Sequence, residues 1–223
     1  MAFMTRTELA KMIDHTLLRA EAAQVDIATL CDEAMQHGFA AVSINPAWVS
    51  FCAKRLNGSG VCVNATIGFP LGANTARVKV EEAREAVKNG ATELDMVINI
   101  GALKSGYADF VEREIAAVVK AAEGAAVKVI LETCVLTTDE KIAVCEMASR
   151  SGASFVKTST GFGRGGATTD DVALMRQVVG HNLGVKAAGG IRTYADAIAM
   201  ITAGADRIGT SSGIAILKEM PSD

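Results

Sequence analysis

Residues 76–100 read ARVKVEEAREAVKNGATELDMVINI. In the first half, Val80, Ala83 and Val87 fall on one helical face, with Glu81, Glu82 and Glu85 elsewhere. Gly90 then ends the pattern, as glycine does where a helix closes in a left-handed turn. Leu94-Asp-Met-Val-Ile-Asn-Ile100 follows, more continuously apolar than alternating. That is the pattern of a parallel strand covered on both sides.

Helix, glycine and strand make one unit of an α/β fold, and the unit recurs without close identity. Its glycines are Gly38, Gly60, Gly90, Gly124, Gly152, Gly180 and Gly204, spaced at the length of a βα unit. Strands are expected at 12–18, 40–46, 61–68, 93–100, 127–133, 154–160, 184–188 and 206–210. Most of the polar residues that interrupt them would have to face the interior. Thr137 and Glu140 form a capping box at a helix start, and Thr168/Asp171 and Thr193/Asp196 repeat it with Asp. Lys79, Lys88 and Lys120 fall on helices and are expected in solvent.

Eight strands alternating with helices in 223 residues indicate a single-domain (β/α)8 barrel, the TIM barrel, across 1–223. The rival, an open doubly wound sheet, calls for a Gly-x-Gly-x-x-Gly turn after its first strand. The turn after Ile13-Asp-His-Thr-Leu-Leu18 has no glycine. Ala, Val and Ile fill the apolar runs, since aromatics are only 4% of residues, and small or β-branched side chains suit tight helix-on-sheet packing.

The net charge of -3 leaves no basic patch for nucleic acid. No apolar run is long enough to span a bilayer, and the N-terminal residues lack the apolar stretch of a signal peptide. The expected location is the cytoplasm. Cys31, Cys52, Cys62, Cys134 and Cys145 are odd in number, widely spaced and without a C-x-x-C pair, so they read as buried thiols in a reducing compartment.

Catalytic side chains of a barrel project from the C-terminal ends of its strands. Asp95, Lys157 and Lys186 are placed there, on the fourth, sixth and seventh strands. Roughly one lysine amine in a thousand is neutral near pH 7.4 at the ordinary pKa. Burial and a neighbouring ammonium both favour the neutral form, which attacks a carbonyl to give an imine. An Asp and a second Lys can relay the protons. A lone strand-end lysine commonly snorkels to solvent; two of them with Asp95 point to chemistry.

Phosphate-binding turns form the second constellation. Gly189 and Gly190 follow the seventh strand, and Gly209-Thr-Ser-Ser-Gly213 follows the eighth and opens a short apolar helix. This is where barrels hold phosphate on backbone N–H groups. Gly161-Phe-Gly-Arg-Gly-Gly166 adds a flexible rim. Asp14, His15, Ser43, Asn45, Asn64 and Glu132 either line the pocket or are satisfied buried polar groups. His15, His37 and His181 are too dispersed for a metal, and the last two sit near helix ends at the surface.

With these residues in view, the sequence resembles the deoxyribose-phosphate aldolases, a class I aldolase family. The matching segments are Ile13-Asp-His-Thr-Leu-Leu18, Glu93-Leu-Asp-Met-Val-Ile-Asn99, Phe155-Val-Lys-Thr-Ser-Thr-Gly-Phe162, Val185-Lys-Ala-Ala-Gly-Gly-Ile-Arg-Thr193 and Arg207-Ile-Gly-Thr-Ser-Ser212. The resemblance implies reversible cleavage of 2-deoxy-D-ribose 5-phosphate to acetaldehyde and D-glyceraldehyde 3-phosphate. It implies a Schiff base on Lys157, with Lys186 and Asp95 moving protons and Lys186 perturbing the nucleophile. Gly161, Gly189, Gly190, Gly209, Ser211 and Ser212 become substrate contacts. It implies neither a metal nor an organic cofactor, no nucleic-acid or membrane partner, and a homo-oligomer, most often a dimer.

Some members of that family end in a tail whose terminal tyrosine assists proton transfer. This sequence ends Lys218-Glu-Met-Pro-Ser-Asp223, and Tyr107 and Tyr194 lie on expected helices. The resemblance then implies enamine protonation by water or by the cluster itself, at a slower rate. Two other readings compete: a phosphosugar isomerase with Glu132 as its base, and a non-catalytic phosphosugar-binding protein. The retained lysines and Asp95 count against the latter.

Overall fold

The computed structural model describes residues 4–221. Strands β1 (Ile13–Leu17), β2 (Ala41–Ile44), β3 (Cys62–Ile67), β4 (Glu93–Val97), β5 (Ala126–Ile130), β6 (Phe155–Lys157), β7 (Gly184–Ala188) and β8 (Arg207–Thr210) close into a barrel. Every strand is parallel to its neighbours, and β8 pairs with β1. Helix α1 (Arg6–Ala10) precedes β1. Helices α2 (Gln24–His37), α3 (Val49–Arg55), α4 (Ala76–Lys88), α5 (Ile100–Lys104) and α6 (Ala108–Ala121) follow in order through the first half. Helices α7 (Thr138–Arg150), α8 (Thr169–Val179), α9 (Tyr194–Thr202) and α10 (Gly213–Glu219) complete the ring.

The expected barrel is therefore present; β7 spans the expected 184–188, and the other seven strands are shorter than the apolar runs. The run at 93–100 leaves the sheet after Val97 because the Asn99 side chain accepts from the Ala102 N–H and starts α5. The run at 40–46 stops at Ile44, where Pro46 opens a single 3-10 turn. Gly38, Gly60, Gly90, Gly124, Gly152, Gly180 and Gly204 all have positive φ, as the punctuation of the sequence requires.

Alternation along the strands sorts apolar from charged. Leu94, Met96, Val127, Val129, Val185 and Ile208 are buried in the layer shared with the helices. Each contributes about 1.5–3 kcal/mol by leaving water. The neighbouring strand positions Asp95, Lys128, Lys157 and Lys186 meet one another inside the barrel. Near its N-terminal end the ring of Phe155 occupies the space beside Gly184, where a Cβ would sit 2.1 Å from a ring carbon. The Arg207 guanidinium lies over that ring, 5.8 Å from its centre.

The helix starts are capped as expected at Thr137/Glu140 and Thr193/Asp196, where both halves of the box form. At Thr168 only the threonine half forms. The Asp171 carboxylate is turned to Lys141 of α7 instead.

Lys79 overturns the expectation of a solvated helix face; Lys88 and Lys120 are exposed. Lys79 is fully buried and donates to Glu114 Oε2 of α6 and to the Val97 carbonyl, each at 2.8 Å. Glu114 Oε2 also accepts from the Asn99 N–H. The pair thus fastens α4 and α6 to the exit of β4. Gly68 makes room for it, since a Cβ there would lie 2.7 Å from Lys79 Cε. Burial lowers the Lys79 pKa and raises that of Glu114, against the attraction between them. Lys79→Met strands a buried carboxylate and should destabilise the fold by about 3–5 kcal/mol in urea unfolding. Adding Glu114→Leu should recover most of that loss; a single substitution costing no more than a surface change would contradict this account.

Candidate active site

Parallel pairing sets lysines and carboxylates side by side in the barrel. Asp95 is the register partner of Lys128, and Lys157 that of Lys186. Asp95 Oδ2 accepts from Lys157 Nζ at 2.6 Å and from Lys186 Nζ at 2.8 Å. Lys128 Nζ lies 3.2 Å from the other oxygen, Oδ1. The two lysines read as a pair therefore do converge, on a single carboxylate oxygen.

The cluster extends deeper than Asp95. Asp14 Oδ2 lies 2.5 Å from Lys186 Nζ, and its Oδ1 lies 3.2 Å from Arg207. Lys128 also donates to Glu93 at 2.5 Å and to Asn64 Oδ1 at 2.9 Å, and Asn64 donates in turn to Ser43 Oγ. Arg207 closes the base on Glu93. Asn64 and Ser43 are thus satisfied groups of the interior, and Asn45 holds the exit of β1 by donating to the Leu18 carbonyl. Sequence reading missed Lys128, Glu93 and Arg207. Their signal was a charge at an inward position of an apolar strand, the same signal that exposed Asp95.

Electrostatics single out Lys157. Burial lowers its pKa most; the ammoniums of Lys186 and Lys128 lower it further, and Asp95 opposes them. The result is a fall to about 8. Burial and a neighbouring ammonium both act as expected, and removal from water comes first. Burial pushes Asp95 upward, yet Lys128, Lys157 and Lys186 together hold it well below the usual carboxylate range. Asp14 is likewise brought to about 2 by Lys186, Lys128 and Arg207, against its burial. For Lys128 the three carboxylates around it outweigh burial and raise its pKa.

Lys157 sits at the floor of a cavity of about 380 Å3 at the C-terminal mouth of the barrel. Gly161, Gly189, Gly190, Gly209 and Ser211 line it, as do Arg19 and Arg192. Ser212 does not reach its wall; it precedes α10, and its N–H donates to Thr210 Oγ1. Gly189 and Gly190 have φ of +91° and +83°, which turn the chain tightly after β7. Gly209 belongs to β8 itself rather than to the loop beyond, and a Cβ there would meet Lys186 Cε at 3.0 Å. Its place in the site is to admit the lysine. Arg19 and Arg192 add cationic groups that the glycine pattern alone did not reveal.

His15 faces away from the barrel axis and pairs through Nε2 with Glu33 of α2 at 2.8 Å. His37 is half-buried near Phe39, and His181 is exposed. Cys31, Cys52 and Cys145 are buried, whereas Cys62 and Cys134 are only half-buried, so the reading of all five as core thiols is too broad. Tyr194 opens α9 as expected, whereas Tyr107, expected on a helix, is the non-helical residue that precedes α6; the last two residues lie outside the described ones. Glu132 is buried and accepts from the Thr160 N–H and hydroxyl, which leaves it engaged rather than poised as a base. The Gly161–Gly166 rim, read as flexible, is packed against residues 132–134 and Gly189. Among the described residues no group of three or more His, Cys, Asp or Glu side chains is arranged to hold a metal, and no helix is long and apolar enough to cross a membrane.

The model of the DeoC/LacD family of aldolases matches residues 9–219. The chain belongs to that family. Aldolases are carbon–carbon lyases, so it is an enzyme. A deoxyribose-phosphate aldolase of Streptococcus sanguinis is 58% identical over 211 residues, covering 95% of this chain and 96% of the relative. Another from Thermococcus gammatolerans is 59% identical over 219 residues, covering 96% and 97%. Among solved structures, a tetrameric deoxyribose phosphate aldolase from Aeropyrum pernix superposes with a TM-score of 0.90 at 37% identity, covering 96% of this chain and 91% of that one.

For an aldolase of this geometry the protonation of Lys157 should gate attack on a carbonyl. Its pKa is lowered to about 8, so the neutral amine is the minor form below that pH and the major form above it. Single-turnover imine formation with a small aldehyde should rise about tenfold per pH unit below 8 and level off above. A rate still climbing at pH 10, as for an ordinary lysine, would contradict the assignment.

Proposed function

We propose that this enzyme reversibly cleaves 2-deoxy-D-ribose 5-phosphate to acetaldehyde and D-glyceraldehyde 3-phosphate through an imine on Lys157. The observation that carries this reading is the Lys157 amine at the cavity floor, sharing one Asp95 oxygen with Lys186. The printed names of the relatives support the substrate. Gly161, Gly189, Gly190 and Ser211 present backbone and hydroxyl donors for the phosphate, and Arg19 and Arg192 supply positive charge at the same wall. Gly209 lines the same wall, and Ser212 adjoins it at the start of α10.

The chemistry follows from the cluster. Neutral Lys157 Nζ adds to C1 of the open-chain sugar, and the carbinolamine loses its hydroxyl as water. The proton for that departure comes from Lys186, which Asp95 and Asp14 hold in place. The protonated imine draws electrons as the C2–C3 bond breaks and the C3 hydroxyl gives up its proton to Lys186, left neutral by the dehydration, which can then return it to C2 of the enamine. Glyceraldehyde 3-phosphate leaves. The enamine left on Lys157 takes a proton at C2 and becomes the acetaldehyde imine, which water hydrolyses. Lys128 touches both carboxylates from beneath and keeps them ionised.

Borohydride added with deoxyribose 5-phosphate should inactivate the enzyme and leave a reduced adduct on the peptide that contains Lys157. Lys157→Met should remove both adduct and turnover, a loss of at least about a thousandfold. Lys186→Met should keep the fold but slow trapping and turnover together. An adduct on another lysine, or full turnover without trapping, would sink the reading. We also read the chain as a cytoplasmic homo-oligomer, with a dimer as the expected unit. The tetrameric Aeropyrum pernix relative supports self-association, and the free cysteines suit a reducing compartment. A monomer mass in sedimentation velocity would remove the oligomer.

A further inference from the structure

Glu132 follows β5 with φ +59° and ψ +61°, a left-handed conformation in a residue that bears a Cβ. Such a conformation is strained for side chains other than Gly, Asn and Asp. It persists where surrounding contacts over-determine it, and these cluster at functional sites. The contacts are on hand. Leu131 N–H donates to the Lys157 carbonyl and Thr133 N–H to the Thr158 carbonyl, each at 2.9 Å, so the turn is bonded on both sides of Glu132 to the end of β6. The carboxylate, 5% exposed, then reaches the Thr160 N–H at 3.2 Å and the Thr160 hydroxyl. Thr160 Oγ1 accepts in turn from the Phe162 N–H at 3.1 Å.

The rim beyond Thr160 lies flat on this support because it lacks side chains where it touches. A Cβ on Gly163 would meet the Glu132 carboxylate at 3.0 Å, and one on Gly165 would meet Cys134 Cβ at 2.7 Å. One on Gly166 would fall 2.3 Å from the Gly189 carbonyl oxygen, the group that accepts from Ala167 N–H. The rim therefore bridges the turn after β5 and the Gly189–Gly190 turn after β7. On its inner side Thr160, Gly161 and Phe162 face the Lys157 cavity. On its outer side Thr160 and Phe162 border a second, apolar hollow with Pro70, Leu71 and Val135.

We propose that Glu132 is a positioning residue that clips this rim over the barrel mouth and so fixes the Gly161 and Gly189 walls of the phosphate end. It acts through Thr160 and the rim, not on the reacting carbons. Binding of the phosphorylated substrate then depends on it, while the bond-breaking step does not. This rests on the proposed substrate for its kinetic consequence, but the clip itself is a matter of geometry.

Two readouts test it. Arg164 is the exposed tryptic site within the rim. Cleavage after Arg164 in the folded protein should be at least tenfold faster in Glu132→Ala than in the native chain, and near native in Glu132→Gln, whose amide oxygen still accepts from Thr160. In kinetics, Glu132→Ala should raise KM for deoxyribose 5-phosphate about tenfold, with kcat changed less than threefold. For unphosphorylated 2-deoxyribose kcat/KM should stay within twofold, and Glu132→Gln should restore the phosphorylated value. Thr160→Val removes the hydroxyl donor from the other partner at nearly constant volume. It should shift both readouts in the same direction, and it serves if Glu132→Ala does not fold. Unchanged trypsin cleavage overturns the clip, and faster cleavage with an unchanged KM overturns its role in binding. A kcat loss of a hundredfold would place Glu132 in the chemistry and overturn the proposal as well. If the native chain does not cleave deoxyribose 5-phosphate, the functional reading fails and trypsin alone judges the clip.

Discussion

A fully buried carboxylate with three ammonium groups around it governs this molecule. Asp95 is fully buried, yet its oxygens take Lys157, Lys186 and Lys128. A lone charge there would carry a desolvation penalty of several kcal/mol. Pairing offsets it only if each charge has a close partner, so the positions of the lysines are mutually fixed. Counting Lys128, Lys157, Lys186 and Arg207 against Asp14, Glu93 and Asp95 leaves one surplus positive charge. Loss of the Lys157 proton balances the cluster, which is the direction in which burial and the neighbouring ammoniums push it. The interaction that holds the interior together is also the one that favours a neutral amine at Lys157.

The barrel makes this arrangement rigid. Parallel register brings Asp95 beside Lys128 and Lys157 beside Lys186. Gly209 opens the space that the Lys186 chain needs. Lower down, Glu93 and Arg207 neutralise the base, so the charge imbalance sits near the mouth where a substrate can reach it. The loops then supply what strands cannot: the tight turn of Gly189 and Gly190 at the cavity wall, and a rim pressed onto the mouth by its own lack of side chains. A second buried pair, Lys79 with Glu114, ties the outer helices to the exit of β4, the strand that carries Asp95.

Much of this was legible in the chain. A glycine at the end of each helix and an apolar run after it sufficed for the barrel, because both signals are local and arise from backbone sterics and burial. Asp95, Lys157 and Lys186 stood out because each breaks such a run. Strand ends were overestimated because an apolar run continues into residues buried under loops, as Ile98 is. Lys79 was misread since helical position tells which residues share a face, and only the partner helix decides whether that face holds a carboxylate. Arg19 joins the wall of the Lys157 cavity only when β1 and β8 meet.

The sequence by itself determined the order of helices and strands and the closure into eight units, since periodicity and turn chemistry act between near neighbours; it marked Lys157 and Lys186 only as charges at the ends of apolar runs. Only the tertiary structure decided which charges face one another. Asp14 and Lys186 are separated by most of the chain and meet only because the first and last strands pair. A pKa depends on the distances to all surrounding charges and on the absence of water, and both are properties of the closed barrel.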